Sequence, residues 1–453
     1  MRNRGFNLKS KSKVLILGGG FAGVETARQL EKMLSPDEAD LQLVSRDNFV
    51  LFTPMLHEIA ASDLDITTIV NPVRKMIRRT RFMQADIQTI DLNSRSVTVA
   101  HGMDRHMHRL DFDHLVVAMG TVPNFYGMKD IEARAMTMKS LEDAIKLRNR
   151  MIAHLEEADP DCSADSRPSL LTMVVVGGGF AGVETVAGIR DFLESELKSY
   201  SNLRTSMLRI ILVHSGPHLL PELGERLGRY AESKLRGRGI EVLTEQRVTS
   251  AAAGGITLKN GNFIPTSFVV WTAGNAASPQ IAALAFANQS GRLETNLMLQ
   301  VASAPDVWAL GDCAIVPDGK GGFHPPTAQH ALRQARTVAT NITRTIRGGP
   351  LQPFSFKTIG QLAAIGRRTG VAQIMGHRFS GFPAWWMWRT IYLLKLPRFE
   401  KRLHVALNWT LDLLFAKDTV QYVSFRATRD AEAESPTIPP AVCVAEDGRE
   451  LHL

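Results

Sequence analysis

Gly18-Gly19-Gly20-Phe21-Ala22-Gly23-Val24-Glu25-Thr26 recurs letter for letter as Gly177-Gly178-Gly179-Phe180-Ala181-Gly182-Val183-Glu184-Thr185. Nine consecutive identities rule out coincidence. Each copy also sits in the same context: an apolar run (Val14 to Leu17, Met173 to Val176) precedes the glycines and a helical pattern follows. That succession of strand, tight turn and helix is what a dinucleotide fingerprint requires. Gly18, Gly20 and Gly23, like Gly177, Gly179 and Gly182, fall on GxGxxG spacing. The first glycine makes the turn, the second admits a pyrophosphate against the backbone, and the third lets helix pack on strand. Phe21 and Ala22, with Phe180 and Ala181, then form the first helical turns, whose free amides and dipole favour negative charge.

In such units a carboxylate at the end of the second strand commonly bonds the ribose 2′-hydroxyl. Here those ends read Ser45-Arg46 and His214-Ser215. Either Ser45 or His214 can hydrogen-bond a hydroxyl, and the missing carboxylate leaves NADPH open beside NADH. Further strands close on small-residue turns, at Ala118 to Gly120, at Ala273-Gly274 and at Gly311-Asp312. Ligands of open parallel sheets lie beyond the carboxyl ends of strands, so these turns are expected to face cofactors. Asp312 is the carboxylate best placed for a ribityl hydroxyl.

The rest of the composition bounds the answer. With 453 residues, two or three modules are expected. A formal charge of +8 asks for an anionic partner, but no groove-reading or base-stacking element supports nucleic acid. Cys162, Cys313 and Cys443 lie far apart with no CxxC spacing, which reads as single cysteines in a reducing compartment. His101, His106 and His108 flank Gly102 in an expected hairpin and lack a second ligand cluster, so no metal is expected. No apolar run reaches the roughly 18 residues of a membrane span.

The C-terminal region is different in kind. Trp385, Trp386, Trp388 and Tyr392 interleave with Arg389 and Lys395, as at a membrane-water boundary. Leu403, Leu407, Leu411 and Leu414 form one helical stripe, while Glu400, His404, Asn408 and Asp412 form another. From Arg378 to Lys417 seven Lys or Arg stand against two acids, a local +5. A basic amphipathic segment with a tryptophan belt fits an anionic lipid surface. A homodimer interface is the competing and compatible reading.

Together the paired fingerprints, Asn48 to Pro54 followed by His57-Glu58, Trp271 to Gly274, Gly311-Asp312 and Pro325 to Gln334 resemble the two-dinucleotide-binding flavoproteins, and among them the type II NADH:quinone oxidoreductases. The resemblance spans most of the chain. It implies an α/β fold with two Rossmann-like, glutathione-reductase-like domains and a C-terminal amphipathic, membrane-associating segment. It places an FAD domain at 1–125 and 293–376, a nicotinamide domain at 126–292, the membrane or dimerisation segment at 377–425, and a flexible tail at 426–453. It implies non-covalent FAD, held in part through Thr53, Pro54 and Ala328, and NADH or NADPH as co-substrate.

The resemblance also assigns roles. Glu184 matches a glutamate close to nicotinamide and flavin, where it orients or handles a proton; the plainer alternative is a carboxylate favoured by its helix dipole. Gln329 matches a glutamine facing the quinone, and Gln334 is retained. The family's other glutamine is Arg333 here, which puts the acceptor's identity in question. The implied activity is NADH oxidation with two-electron reduction of a membrane quinone and no proton pumping, on the cytoplasmic side of the cell membrane as a peripheral protein. Disulfide and sulfide:quinone reductases need cysteine pairs that the spacing does not offer. A flavin-bound sensor or membrane-docking module with little turnover is the rival of another class.

Overall fold

The computed structural model describes residues 11–284, 287–288, 291–302, 304–412, 415 and 420–421. The expected tail 426–453 with Cys443, and also Leu414 and Lys417, lie outside them. Two compact units are present. The first comprises the residues up to Phe52 with Val70–Asn124 and Asn275–Ile359, and the second Thr53–Ile69, Phe125–Gly274 and the residues from Gly360 on.

The first unit is built on a six-stranded sheet in the order Gln300–Val301, Ala304–Ala309, His114–Val117, Ser12–Leu17, Ala39–Ser45, Arg81–Gln84. Only the edge pair, Gln300–Val301 with Ala304–Ala309, is antiparallel. Central strands of a covered parallel sheet are buried on both faces and therefore read as continuous apolar runs. Val14 to Leu17 and Leu115 to Val117 are buried in this way. The helices Phe21–Met33 and Ala328–Arg347 pack on each other, with Ala27, Ala335 and Ala339 fully buried. The second of them stops at Gly348, whose φ of +76° lets the Gly349 amide return to the Arg344 carbonyl at 2.7 Å. An antiparallel sheet, Asp86–Asp91, Ser96–His101 and His106–Asp111, completes this unit's larger elements.

The second unit repeats the plan. Its five-stranded sheet is parallel throughout, in the order Met136–Thr137, Phe268–Trp271, Thr172–Val176, Arg209–Val213, Ile240–Leu243. The helix Phe180–Glu196 follows the central strand. An antiparallel sheet, Gly360–Ala364, Gly370–Ile374 and His377–Gly381, carries the helix Phe382–Lys395, and the helix Phe399–Leu411 follows. In that last helix Val405 and Trp409 face the body at 0% and 7% exposure, whereas Leu403 and Leu407 stand out at 60% and 52%. The leucine stripe thus points away from the fold, and the helix is held from its other side, where the Lys401 ammonium donates to the Thr67 carbonyl at 2.6 Å. No described helix is long and apolar enough to cross a membrane. Cys313 is a buried free thiol.

Glu31, near the end of the helix Phe21–Met33, clamps the turn before an edge strand of the first unit. Its carboxylate accepts from the amides of Arg78, Arg79 and Thr80 and from the Thr80 hydroxyl, all within 3.1 Å. Burial pushes its pKa up, but the bonds from Thr80, Arg79 and Arg78 outweigh burial and hold it below the usual carboxylate range. Such a group stabilises the fold above its unfolded pKa and loses that contribution as pH falls through the folded one. Glu31→Ala is expected to cost about 1–3 kcal/mol at neutral pH. Urea denaturation should show this difference shrinking in acid, and an equal loss at acid and neutral pH would contradict the clamp.

Candidate functional site

Each glycine turn is an anion cradle by construction. A Cβ on Gly23 would lie 1.9 Å from the Gly18 carbonyl oxygen, and one on Gly182 would lie 1.7 Å from that of Gly177. These third glycines are therefore forced by the approach of helix to strand. Gly18 and Gly177 have φ of +106° and +119°, a region open to glycine. Gly20 and Gly179 have no atom within 4 Å of a Cβ position, so the space beside them is open. Both helices begin with a glycine N-cap, no capping side chain and no acid in the first turn. Their leading amides and positive dipole ends are left for an anion, which fits the diphosphate of a dinucleotide.

The strand ends gather the other expected residues. Parallel register aligns Leu17 with Val44 and Val117, and Val117 with Ala309. Gly18, Ser45, Ala118 and the turn Leu310-Gly311-Asp312 thus share one edge of the first sheet. In the second sheet Val176 aligns with Val213 and Trp271, bringing Gly177, His214 and the Thr272-Ala273-Gly274 turn to one edge. Gly120, Gly274 and Gly311 all take positive φ there. Thr53 and Pro54 open a short 3-10 turn in the second unit.

Ser45 and His214 do something sequence reasoning missed. Ser45 packs beneath Gly19, where a Cβ would meet its Oγ at 2.6 Å. His214 accepts a hydrogen bond from the Gly178 amide through Nδ1 at 3.1 Å, which assigns the imidazole hydrogen to Nε2. A Cβ on Gly216 would lie 2.8 Å from that Nε2. Burial holds the His214 pKa below its ordinary value and keeps the ring neutral. The ring therefore braces its glycine turn. Arg46 stays exposed beside Asp47 at 3.5 Å.

The helix Ala328–Arg347 sets out the Gln329 motif. Ala328 opens the helix, and Gln329 Oε1 accepts from the Ile359 amide at 3.3 Å. Arg333 lies one turn on, donates to the Gln329 carbonyl at 3.0 Å, and lays its guanidinium over the Phe356 ring at 4.1 Å. Gln334 turns inward: it is 3% exposed and its Oε1 accepts from the Gly311 amide at 2.8 Å. That bond fixes the Gly-Asp turn on the helix, so Gln329 and Arg333 are brought together and Gln334 is held apart from them.

Glu184 occupies a buried polar cluster in the second unit. Its Oε1 accepts from the Ala364 amide and the Trp388 indole, both at 3.1 Å. Its Oε2 faces His57 Nδ1 at 3.7 Å. The His57 ring lies 5.5 Å from that of Trp388, and Tyr392 packs edge-on against the same indole at 5.0 Å. Burial raises the Glu184 carboxyl to about 8 against the pull of its two donors, and lowers His57 to about 4. At neutral pH the two face each other uncharged rather than as an ion pair. With Oε1 taking both donors, Oε2 is the oxygen that carries the proton.

Glu58, next along the chain, is also buried and likewise raised to about 8 by burial. The sequence signal that could have found this cluster is an ionisable pair, His57-Glu58, set between Met55-Leu56 and Ile59-Ala60. Both acids keep a proton that the unfolded chain releases near 4.5, so stability falls as pH rises from about 4.5 toward about 8. Glu184→Gln should make the urea midpoint less steeply dependent on pH across that window. An unchanged slope would refute the assignment.

His101, His106 and His108 share one face of their hairpin, with the His106 ring centroid 6.2 Å and the His108 ring centroid 4.9 Å from that of His101. Among the described residues no group of three His, Cys, Asp or Glu is placed to hold a metal.

Residues 12–335 match the family model of pyridine nucleotide-disulphide oxidoreductases, and residues 359–418 match the NDH2 C-terminal domain. A type II NADH:quinone oxidoreductase of Mycobacterium tuberculosis is 30% identical over 89% of this chain and 88% of its own. A demethylphylloquinone reductase of Synechocystis is 32% identical over 88% and 96%. In fold, the NDH2 of Plasmodium falciparum solved with NADH superposes with a TM-score of 0.82 at 20% identity, covering 90% of this chain and all of that one. Paired cradles, a C-terminal domain of matching type and relatives spanning nearly the whole length lead to one assignment: the chain belongs to the type II NADH:quinone oxidoreductase family of two-dinucleotide flavoproteins.

Proposed function

We propose that the chain oxidises NADH through non-covalently bound FAD and reduces a membrane quinone by two electrons, without pumping protons. The observation that carries this reading is the pair of open glycine cradles, each at the carboxyl edge of its own parallel sheet. Residues 1–125 and 293–376 hold FAD, with Gly18, Gly20 and Gly23 at its diphosphate and Asp312 at a ribityl hydroxyl. Residues 126–292 hold the nicotinamide nucleotide at Gly177, Gly179 and Gly182. FAD held there would supply the chemistry of hydride acceptance from the nicotinamide and two-electron donation to the quinone. Glu184 presents a neutral acid, able to donate a hydrogen bond or a proton without carrying charge. Gln329 and Arg333 address the acceptor, the guanidinium polarising a quinone carbonyl. With no carboxylate at His214, both NADH and NADPH are accommodated.

The C-terminal segment docks on an anionic lipid surface, on the cytoplasmic side of the cell membrane. Phe382, Trp386, Leu394, Phe399, Leu403 and Leu407 are all exposed in a basic setting. Such a surface lies in the interface rather than across it. A homodimer through the same segment is compatible with this.

Two experiments test these assignments. Gly23→Ala should abolish the flavin colour, while Gly182→Ala should remain yellow and raise the KM for NADH by about tenfold or more. Reversed phenotypes would exchange the two cradles, and a wild-type protein that fails to turn over NADH with a short-chain quinone would favour a sensor. Separately, Leu403→Asp with Leu407→Asp should release the protein from phosphatidylglycerol vesicles while sparing turnover with soluble quinone. Vesicle binding at wild-type strength would remove the lipid assignment.

A further inference from the structure

The reaction leaves one hydrogen unaccounted for by hydride transfer. NADH, a quinone and one proton yield NAD+ and quinol, so each turnover takes one proton from solution into a dry site. Glu184 is a buried acid, and a single buried acid must be recharged after it gives its proton away. The second unit offers a route by which that can happen.

Among the described residues of the second unit, the buried polar atoms without a close hydrogen-bond partner include Glu58 Oε2, Arg389 Nε and Trp409 Nε1. They belong together. The Arg389 guanidinium is sandwiched between Trp385 at 4.6 Å and Trp409 at 4.4 Å. Arg389 and the Trp409 indole both act on Glu58, favouring its charged form. Buried polar groups that go unpaired are costly, so their gathering in one cluster calls for a reason. A guanidinium and an indole stand beside one carboxyl, and both favour its ionised form. That is the arrangement expected if the carboxyl spends part of each cycle ionised, since a carboxylate would engage both donors in charge-assisted bonds. The protein has thus provided for both states of Glu58: burial favours the acid, and waiting donors receive the anion.

The surroundings give the route its two ends. On the inner side is His57, from the same short helix Leu56–Ala60, with its Nδ1 turned to Glu184 Oε2 at 3.7 Å. On the outer side is half-buried Asp63, whose amide donates to the Glu58 carbonyl at 2.8 Å and whose charge acts on both Glu58 and His57. The charged or titratable groups acting on Glu58 are Arg389, Asp63 and Glu184. Two successive residues of the helix Phe382–Lys395, Trp388 and Arg389, attend one acid each.

We propose that Glu58 is a second proton-carrying residue of the quinone reaction, taking a proton from solvent on the Asp63 side and resupplying Glu184 through the imidazole of His57. In each passage the Glu58 O–H bond breaks as one ring nitrogen of His57 gains a hydrogen, and Nδ1 gives up its hydrogen to the emptied Oε2 of Glu184. Glu58 is then reprotonated from water, and no electron moves along this line. The proposal rests on Glu184 handling the proton, as in the function proposed above.

The test uses the flavin-loaded protein. Glu58→Gln keeps the shape and removes the proton exchange. Reduction of its flavin by NADH, followed by stopped flow, should stay at the wild-type rate. Steady-state reduction of a short-chain ubiquinone should fall by about tenfold or more below pH 8, the deficit narrowing at higher pH as wild-type Glu58 itself loses its proton, with a larger solvent deuterium isotope effect. Glu58→Asp should recover part of the rate. His57→Phe, which keeps a ring against Trp388, should reproduce the Gln phenotype and provides an independent test if Glu58→Gln does not fold. Wild-type quinone turnover and isotope effect in either Glu58→Gln or His57→Phe would overturn the relay. Normal quinone reduction in Glu184→Gln would instead remove the acid that the relay serves, and absence of quinone reduction in the wild type would remove the proposed function itself.

Discussion

Everything in the two nucleotide units depends on how closely a helix may start beside the strand that precedes it. At Gly23 and Gly182 the carbonyl oxygens of Gly18 and Gly177 occupy the place of a side chain, so the helix axis can be drawn onto the sheet edge only where no Cβ exists. This closeness aims the leading amides of each helix into the open space beside Gly20 and Gly179. It also commits neighbours. Thr272 donates to the Val176 carbonyl at 2.9 Å and so pins the adjoining strand end against the second turn, while Gln334 pins the Gly-Asp turn in the first. Loss of the close approach would therefore disturb strand ends well beyond the glycines.

The parts of this architecture that were legible in the sequence are those encoded locally. A nine-residue repeat, apolar runs of strand length and glycines at fixed spacing announce two α/β units because every signal lies within about thirty residues. The aromatic, basic C-terminal segment was likewise visible, although only the structure gives the direction of its leucine stripe. His214, expected at its strand end as a hydrogen-bond partner for a hydroxyl, also supports the turn beside it, because imidazole can satisfy a buried backbone amide that the strand ladder leaves free. The cluster of His57, Glu58, Glu184, Trp388 and Trp409 left almost no local trace. Its members come from four helices far apart in the chain, and pairings of that kind have no periodicity to read.

Placing two carboxyl groups and an imidazole among tryptophans is costly unless they shed charge. The second unit meets that requirement by neutrality at Glu184, Glu58 and His57, and by spending the Trp388 indole on one oxygen of Glu184. Cys313 in the first unit follows the same rule, with burial holding its thiol protonated at about 11. A thiol so placed is a poor nucleophile. Glu184, Glu58, His57 and Cys313 are thus kept inside the protein in their uncharged forms.

The outward leucines of the helix Phe399–Leu411 have a practical corollary. Thirteen residues make a rod roughly 20 Å long, and along it Phe399, Leu403, Leu407 and Leu411 form a continuous greasy ridge. In plain buffer such ridges find one another. The protein's aggregation state during purification will accordingly follow the amphiphile present rather than the integrity of the nucleotide folds, so a particle that is clumped by light scattering can still be fully folded.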